Sequence, residues 1–247
     1  MTFNYQIIIE YLGFNYVGWQ IQKNGNSIQS VIEKALTKTL KSKIKINGSG
    51  RTDAGVNALG QSANFLTKFE IKDYYKFLNT VNYFLQKSSI SIIDLKKRNK
   101  IFHARHSAKK RLYEYIILNR TGKLVVYKNR SWLIKKKLDL KKIKIIINYF
   151  IGTHNFSAFR ASSCSAKSPI KTISKANIKK NEDKITIEFE SQSFLQKQVR
   201  SMVGCLKYVG ENKWRPEKIK LVISQKKRRL CAPPAPPEGL FLKKVSY

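Results

Sequence analysis

A chain of 247 residues with 42% apolar side chains can bury one large core or two small ones, which excludes global disorder. Lysine and arginine number 49 against 15 acidic residues, a formal net charge of +34, and self-repulsion of that size calls for a polyanionic partner, RNA or DNA, bound through its phosphates. Three cysteines without a CxxC pair (Cys164, Cys205 and Cys231) exclude a disulfide framework and a cysteine-based zinc site, and aliphatic runs such as Ile145 to Ile147 are far too short to span a bilayer.

Residues 5 to 11 are apolar and extended, and after a glycine-rich connection Ser27 can cap a helix whose positions Ile28, Val31, Ile32, Ala35, Leu36 and Leu40 follow helical spacing. A short strand at 44 to 47, the turn-rich run GSGRTDAGVNALG and a second extended segment near 61 to 66 come next. A helix over about 72 to 86 and a strand at 90 to 95 close the first half. The second half mixes the same elements: a strand at 111 to 118, a helix at 139 to 150, strands near 170 to 179 and 184 to 190, and a helix near 194 to 209. A further helix begins at Pro216, and CAPPAPPEG leads into a final strand, LFLKKVSY. The pattern predicts an α/β mixture whose halves meet near 100 to 108, with no short internal repeat. The N-terminus lacks a basic flank and carries Glu10, so a soluble, cytoplasmic protein with no membrane partner is expected.

The segment Gly48-Ser49-Gly50-Arg51-Thr52-Asp53-Ala54-Gly55-Val56 sets an Arg and an Asp among glycines, which lets backbone approach a ligand while both side chains are presented. No Gly-Lys-Ser/Thr follows, so it is not a phosphate-binding P-loop. Taken alone, Asp53 suits a turn-forming or capping residue as well as a catalytic one. His103 and His106 are three apart, yet no acidic or thiol partner stands at matching spacing, which favours a structural role over a metal site. The run Lys226-Lys227-Arg228-Arg229 reads either as a solvated helix end or as a grip on a nucleic-acid backbone.

The stretch Gly50 to Val56 resembles the signature of the tRNA pseudouridine synthase A family, the tRNA pseudouridine(38–40) synthases. Other stretches agree in order along the chain: Tyr11-Leu12-Gly13 through Tyr16-Val17-Gly18-Trp19-Gln20-Ile21-Gln22, Phe102-His103-Ala104-Arg105, Lys110-Arg111-Leu112-Tyr113-Glu114-Tyr115, Gly152 to Arg160, Ala166 to Pro169, Phe194 to Gly204, and Ala235 to Leu240. The resemblance implies two domains, 1–104 and 105–247, of mostly antiparallel sheet backed by helices around a basic cleft, a homodimer that acts on the anticodon stem-loop of tRNA, and no cofactor or metal.

It also implies roles for individual residues. Isomerising uridine breaks the N1–C1′ bond, turns the uracil and joins C5 to C1′; a carboxylate serves because it can act as a nucleophile, or as a base at the sugar, and leave again. Asp53 is the essential carboxylate by resemblance, Arg200 its charge partner, and Arg51 a holder of the extruded nucleotide. Tyr113 matches the active-site tyrosine, whose ring can stack on uracil and whose hydroxyl can approach the departing C5 proton, and Leu240 matches an apolar wall of the base pocket. Three positions depart from the family pattern: Asn57 where His is usual, Leu12 where Asp is usual, and Gln196-Lys197-Gln198 in place of a His-rich stretch. They leave two alternatives open, a catalytically silent RNA-binding protein on the same scaffold and a synthase acting on another RNA.

Overall fold

The structure, a computed structural model, describes residues 2–23 and 25–247, and within these the chain forms ten strands and five α-helices. Two compact units divide it: residues 1–109 with 242–247, and residues 110–241. None of the described helices is long and apolar enough to cross a membrane.

In the first unit, strand β1 (Phe3–Tyr11) lies between two antiparallel neighbours, β3 (Asn57–Thr67) and β4 (Ile90–Arg98), and the short β2 (Ile46–Gly48) pairs antiparallel with β3 at Ala63, Asn64 and Phe65. Helices α1 (Ile28–Leu40) and α2 (Tyr74–Leu85) bury Ile28, Ile32, Ala35, Leu36, Phe77, Val81 and Leu85. Alternate β1 residues Tyr5, Ile7 and Ile9 are fully buried, and Tyr5 stacks on Phe65, which stacks in turn on Phe77. Ser27 caps α1 by accepting from the Ser30 amide, as its spacing predicts, and Asp73 caps α2 in the same way.

The opposite face of this sheet is polar and still buried. Asn4 donates to the carbonyls of Asn99 and Phe102, Asn64 donates to Asn4 and accepts from the Ala104 amide, and the Tyr247 hydroxyl hydrogen-bonds with the Ser62 hydroxyl and the Ala104 carbonyl. Segment 99–108 and the C-terminal residue therefore cover β1 and β3 through satisfied polar groups, which is the condition for burying them at all. The last strand, β10 (Leu240–Ser246), neighbours β3, so most of a strand that closes the sequence belongs to the unit that opens it.

In the second unit, β5 (Lys110–Leu118), β9 (Lys184–Ser191), β8 (Ile170–Asn181) and β7 (Gly152–Asn155) run antiparallel in that order, and the two-residue β6 (Trp132–Leu133) pairs parallel with β5. Tyr113, Tyr115 and Ile117 stand opposite Phe189, Ile187 and Ile185, while Ile116 and Leu118 turn to the other face and pack with Phe241. Helix α3 (Leu140–Ile146) ends in a tighter turn over 147–150, so the helix expected at 139 to 150 changes pitch midway. Helix α4 (Gln198–Gly210) buries ten of its thirteen residues, and α5 (Glu217–Gln225) starts behind Pro216. The start of α4 lies four residues later than the helical spacing suggests, because Lys197 takes a left-handed conformation (φ 62°) and Gln198 folds back to accept from the Leu195 amide.

Candidate active site

The loop between β2 and β3 is held by its own sequence. Ser49 donates its amide to the Ser62 carbonyl at 2.7 Å and its hydroxyl to Gln61 Oε1 at 2.7 Å, while Gln61 Nε2 donates to the Gly50 carbonyl at 2.9 Å. Thr52 is buried, with Oγ1 2.8 Å from the Tyr11 hydroxyl and its carbonyl accepting from the Trp19 amide at 3.1 Å. At about 0.5 to 1.5 kcal/mol net for each bond, several kcal/mol hold this loop in one shape. Thr52 is the anchor: its neighbours Arg51, exposed, and Asp53, half-buried, both reach solvent. The turn closes where the Val56 amide donates to the Asp53 carbonyl at 3.1 Å.

The opening loop braces this turn from behind. Gly18 has φ +107°, and a Cβ there would stand 2.8 Å from the Thr52 carbonyl oxygen, so only glycine fits against the Asp53 loop. Asn57, one of the departures from the family pattern, is fully buried and its Oδ1 accepts from the Gly13 amide at 2.8 Å. It therefore ties the opening loop to the residues that follow Asp53. Leu12, the second departure, uses its amide to donate to the Ser89 carbonyl at 3.0 Å.

The remaining expected site residues lie in the second unit. Tyr113 is buried on β5 with its ring edge-on to Phe194, centroids 5.2 Å apart. Arg200, half-buried on α4, donates Nε to the Ala235 carbonyl at 2.7 Å, and its own carbonyl accepts from the Ala235 amide at 2.9 Å. The proline-rich segment is thus fastened to α4, and it approaches so closely that a Cβ on Gly204 would meet the Pro233 carbonyl oxygen at 2.1 Å. Leu240 is buried at the start of β10. Within the first unit the structure brings Arg51 and Asp53 onto one loop; within the second it gathers Arg200 and Leu240 around the proline-rich segment, with Tyr113 two residues from Tyr115 on β5.

Tyr115, the last residue of the matched stretch Lys110 to Tyr115, is one to which motif reading assigns no role. Its hydroxyl donates to the Pro236 carbonyl at 2.8 Å and its ring packs on Gly239, the residue before Leu240. Burial pushes this hydroxyl well above the usual tyrosine range, the Glu238 charge adds to the rise, and Arg200 opposes it. Tyr115 therefore stays a neutral donor that fixes the turn carrying Leu240. The period-two alternation with Tyr113 is the sequence signal that places both on one face.

Other candidates resolve into supporting parts. His103 accepts from the Arg105 amide through Nδ1, and burial together with the neighbouring His106 and Arg105 holds its pKa below the ordinary histidine value, so it is neutral near pH 7. Among the described residues no group of three or more His, Cys, Asp or Glu could hold a metal ion. In the basic run, Arg228 turns inward to donate to the Ala158 and Ala232 carbonyls, while Lys226, Lys227 and Arg229 are exposed.

A family model described as tRNA pseudouridine synthase matches residues 7–107 and 146–247, a span that includes Arg51, Asp53, Arg200 and Leu240. The chain belongs to the tRNA pseudouridine synthase family. It is 57% identical over 245 residues to the tRNA pseudouridine synthase A of Pelagibacter ubique (strain HTCC1062), covering 99% of this chain and 100% of that one. It is 43% identical over 244 residues to the protein of the same name from Ehrlichia canis (strain Jake), covering 98% of this chain and 99% of the relative. The mixed α/β architecture with mostly antiparallel strands is consistent with the fold of that family.

Proposed function

We propose that the protein isomerises uridine to pseudouridine in tRNA, at positions 38, 39 and 40 of the anticodon stem-loop, as a cytoplasmic homodimer that needs no cofactor. The observation that carries this reading is the anchored loop of a synthase-family chain, in which buried Thr52 fixes the backbone and half-buried Asp53 is left on the solvent side. Preorganisation of this kind lets a carboxylate meet a reacting carbon without first paying to order the loop.

In the proposed reaction Asp53 attacks C1′ of the flipped-out uridine, and the N1–C1′ electrons leave with the uracil. The uracil turns, C5 forms its bond to C1′ as the Asp53 carboxylate departs, the C5 proton is lost and N1 is protonated. Atoms balance without oxidant or metal. Arg200 pairs with the carboxylate, Arg51 holds the nucleotide outside the stack, Tyr113 stacks on the base with its hydroxyl near the departing C5 proton, and Leu240 supplies the dry wall of its pocket. Exposed lysines and arginines would offset the few kcal/mol needed to unstack the base.

Release of tritium from C5-labelled uridine in an anticodon stem-loop tRNA tests this directly. Release by the native protein, abolished in Asp53→Ala while tRNA binding persists, is the expected result. A native protein that binds tRNA and releases nothing would instead be a silent RNA-binding scaffold, and release from a different RNA alone would move the substrate elsewhere.

A further inference from the structure

Two of the three cysteines scattered through the sequence meet in space. Cys205, buried in α4, and Cys231, half-buried at the end of the turn Arg228–Leu230, are both free thiols with their sulfurs 3.5 Å apart although they are 26 positions apart in the chain. Arg228 stands beside the outer one, its guanidinium held by the Ala158 and Ala232 carbonyls. The third cysteine, Cys164, lies elsewhere in the same unit, between two turns.

We propose that Cys231 and Cys205 form a peroxide-oxidisable dithiol site, with Cys231 as the attacking thiol and Cys205 as the resolving one, whose disulfide ties the loop after Cys231 to α4. The asymmetry of the pair assigns the roles. Cys231 is the more exposed sulfur, and a hydrogen bond from the Cys205 thiol, with the Arg228 charge adding to it, holds the Cys231 thiol below the usual range, which favours the thiolate that attacks a hydroperoxide. Cys205 is pushed well above that range by its bond to Cys231 and by burial, so it stays protonated until its partner has been oxidised.

The chemistry closes with hydrogen peroxide as the oxidant. The Cys231 thiolate takes one peroxide oxygen and becomes a sulfenic acid, and the other oxygen leaves as hydroxide and is protonated to water. The Cys205 sulfur then loses its proton and attacks the sulfenyl sulfur, the S–OH bond breaks, and a second water departs as the disulfide forms. Two thiols are oxidised and one peroxide is reduced to two waters. A disulfide spans about 2.05 Å between sulfurs, so the pair must close from 3.5 Å. Gly204 already stands against the Pro233 carbonyl and Ala235 makes two hydrogen bonds to Arg200, so the segment from Cys231 to Ala235 is already held on α4.

The test needs no RNA, so its failure is separable from failure of the synthase reading. The full-length protein is treated with hydrogen peroxide, remaining thiols are alkylated, and peptides are mapped by mass spectrometry. The expected product is a Cys205–Cys231 crosslink with the mass loss of two hydrogens, reversed by dithiothreitol, absent in Cys231→Ser and undiminished in Cys164→Ser. A folded protein in which Cys231 proceeds to sulfinic acid while Cys205 remains alkylatable overturns the proposal, as does oxidation confined to Cys164. Circular dichroism of Cys231→Ser verifies that loss of the crosslink is not loss of the fold.

Discussion

Replacing Asn57 by Ala removes the acceptor of the Gly13 amide, a bond of 2.8 Å between two buried groups. Both groups are buried, so the variant leaves a buried donor without its partner, at a cost of about 1 to 3 kcal/mol. For a chain of this size that corresponds to a fall in thermal midpoint of about 2 to 12 °C. The same bond ties the opening loop to the end of the Asp53 turn, against which Gly18 and Trp19 pack, so the carboxylate should also lose position. A misplacement approaching 1 Å costs up to about a hundredfold in rate, and a fall in kcat of about tenfold or more with unchanged tRNA affinity is expected. Circular dichroism melting and C5-tritium release measure the two effects. Leu59→Ala, an exposed change on the same strand, is the control. If Asn57→Ala melts with Leu59→Ala and turns over at the native rate, the bracing argument is wrong.

Three further outcomes are expected. Gly18→Ala forces a side chain into φ +107° and 2.8 Å from the Thr52 carbonyl, which should destabilise by about 1 to 3 kcal/mol and depress kcat; native melting and turnover together would refute the fit. Burial pushes the Glu211 carboxyl up, but Lys207 and Lys213, at 2.9 and 3.0 Å, outweigh it and hold the pKa below the usual value. A depressed folded pKa gives stability that is present above the unfolded glutamate pKa of about 4.3 and is lost as pH falls through the folded value. Melting midpoints from neutral to acid pH should therefore fall less steeply in Glu211→Gln than in the native protein, and parallel curves would contradict the sign. Replacing exposed Lys226, Lys227 and Arg229 by Ala should flatten the plot of log affinity for tRNA against log salt by up to about 0.9 per lost phosphate contact, whereas an unchanged slope would place the run off the RNA.

Local patterning made most elements legible. The Ser27 cap, the helical spacing from Ile28, the alternation in β5 and β9 and the proline before α5 are each decided within a few residues of chain, so sequence suffices to find them. It failed where a distant contact or an unusual dihedral competes with spacing. Apolar periodicity runs on into Leu195, but the left-handed Lys197 delays α4, and the helix predicted at 139 to 150 tightens after Ile146. The glycine-flanked Arg and Asp were legible as chemistry because their spacing is local. The bracing by Asn57, read from sequence as a departure, was not, since it depends on a partner 44 positions away.

The sequence by itself determined the residue types, the order of the elements, the basic charge and the loop on which Asp53 sits, because all of these are properties of short segments or of composition. Only the tertiary structure decided that most of the C-terminal strand joins the first unit, that Tyr115 buttresses the turn before Leu240, that Arg228 faces inward, and that Cys205 meets Cys231. Each of those is a contact between residues far apart in the chain, and what selects it is the requirement that buried polar groups find partners and that apolar faces close on one another, which no local window contains.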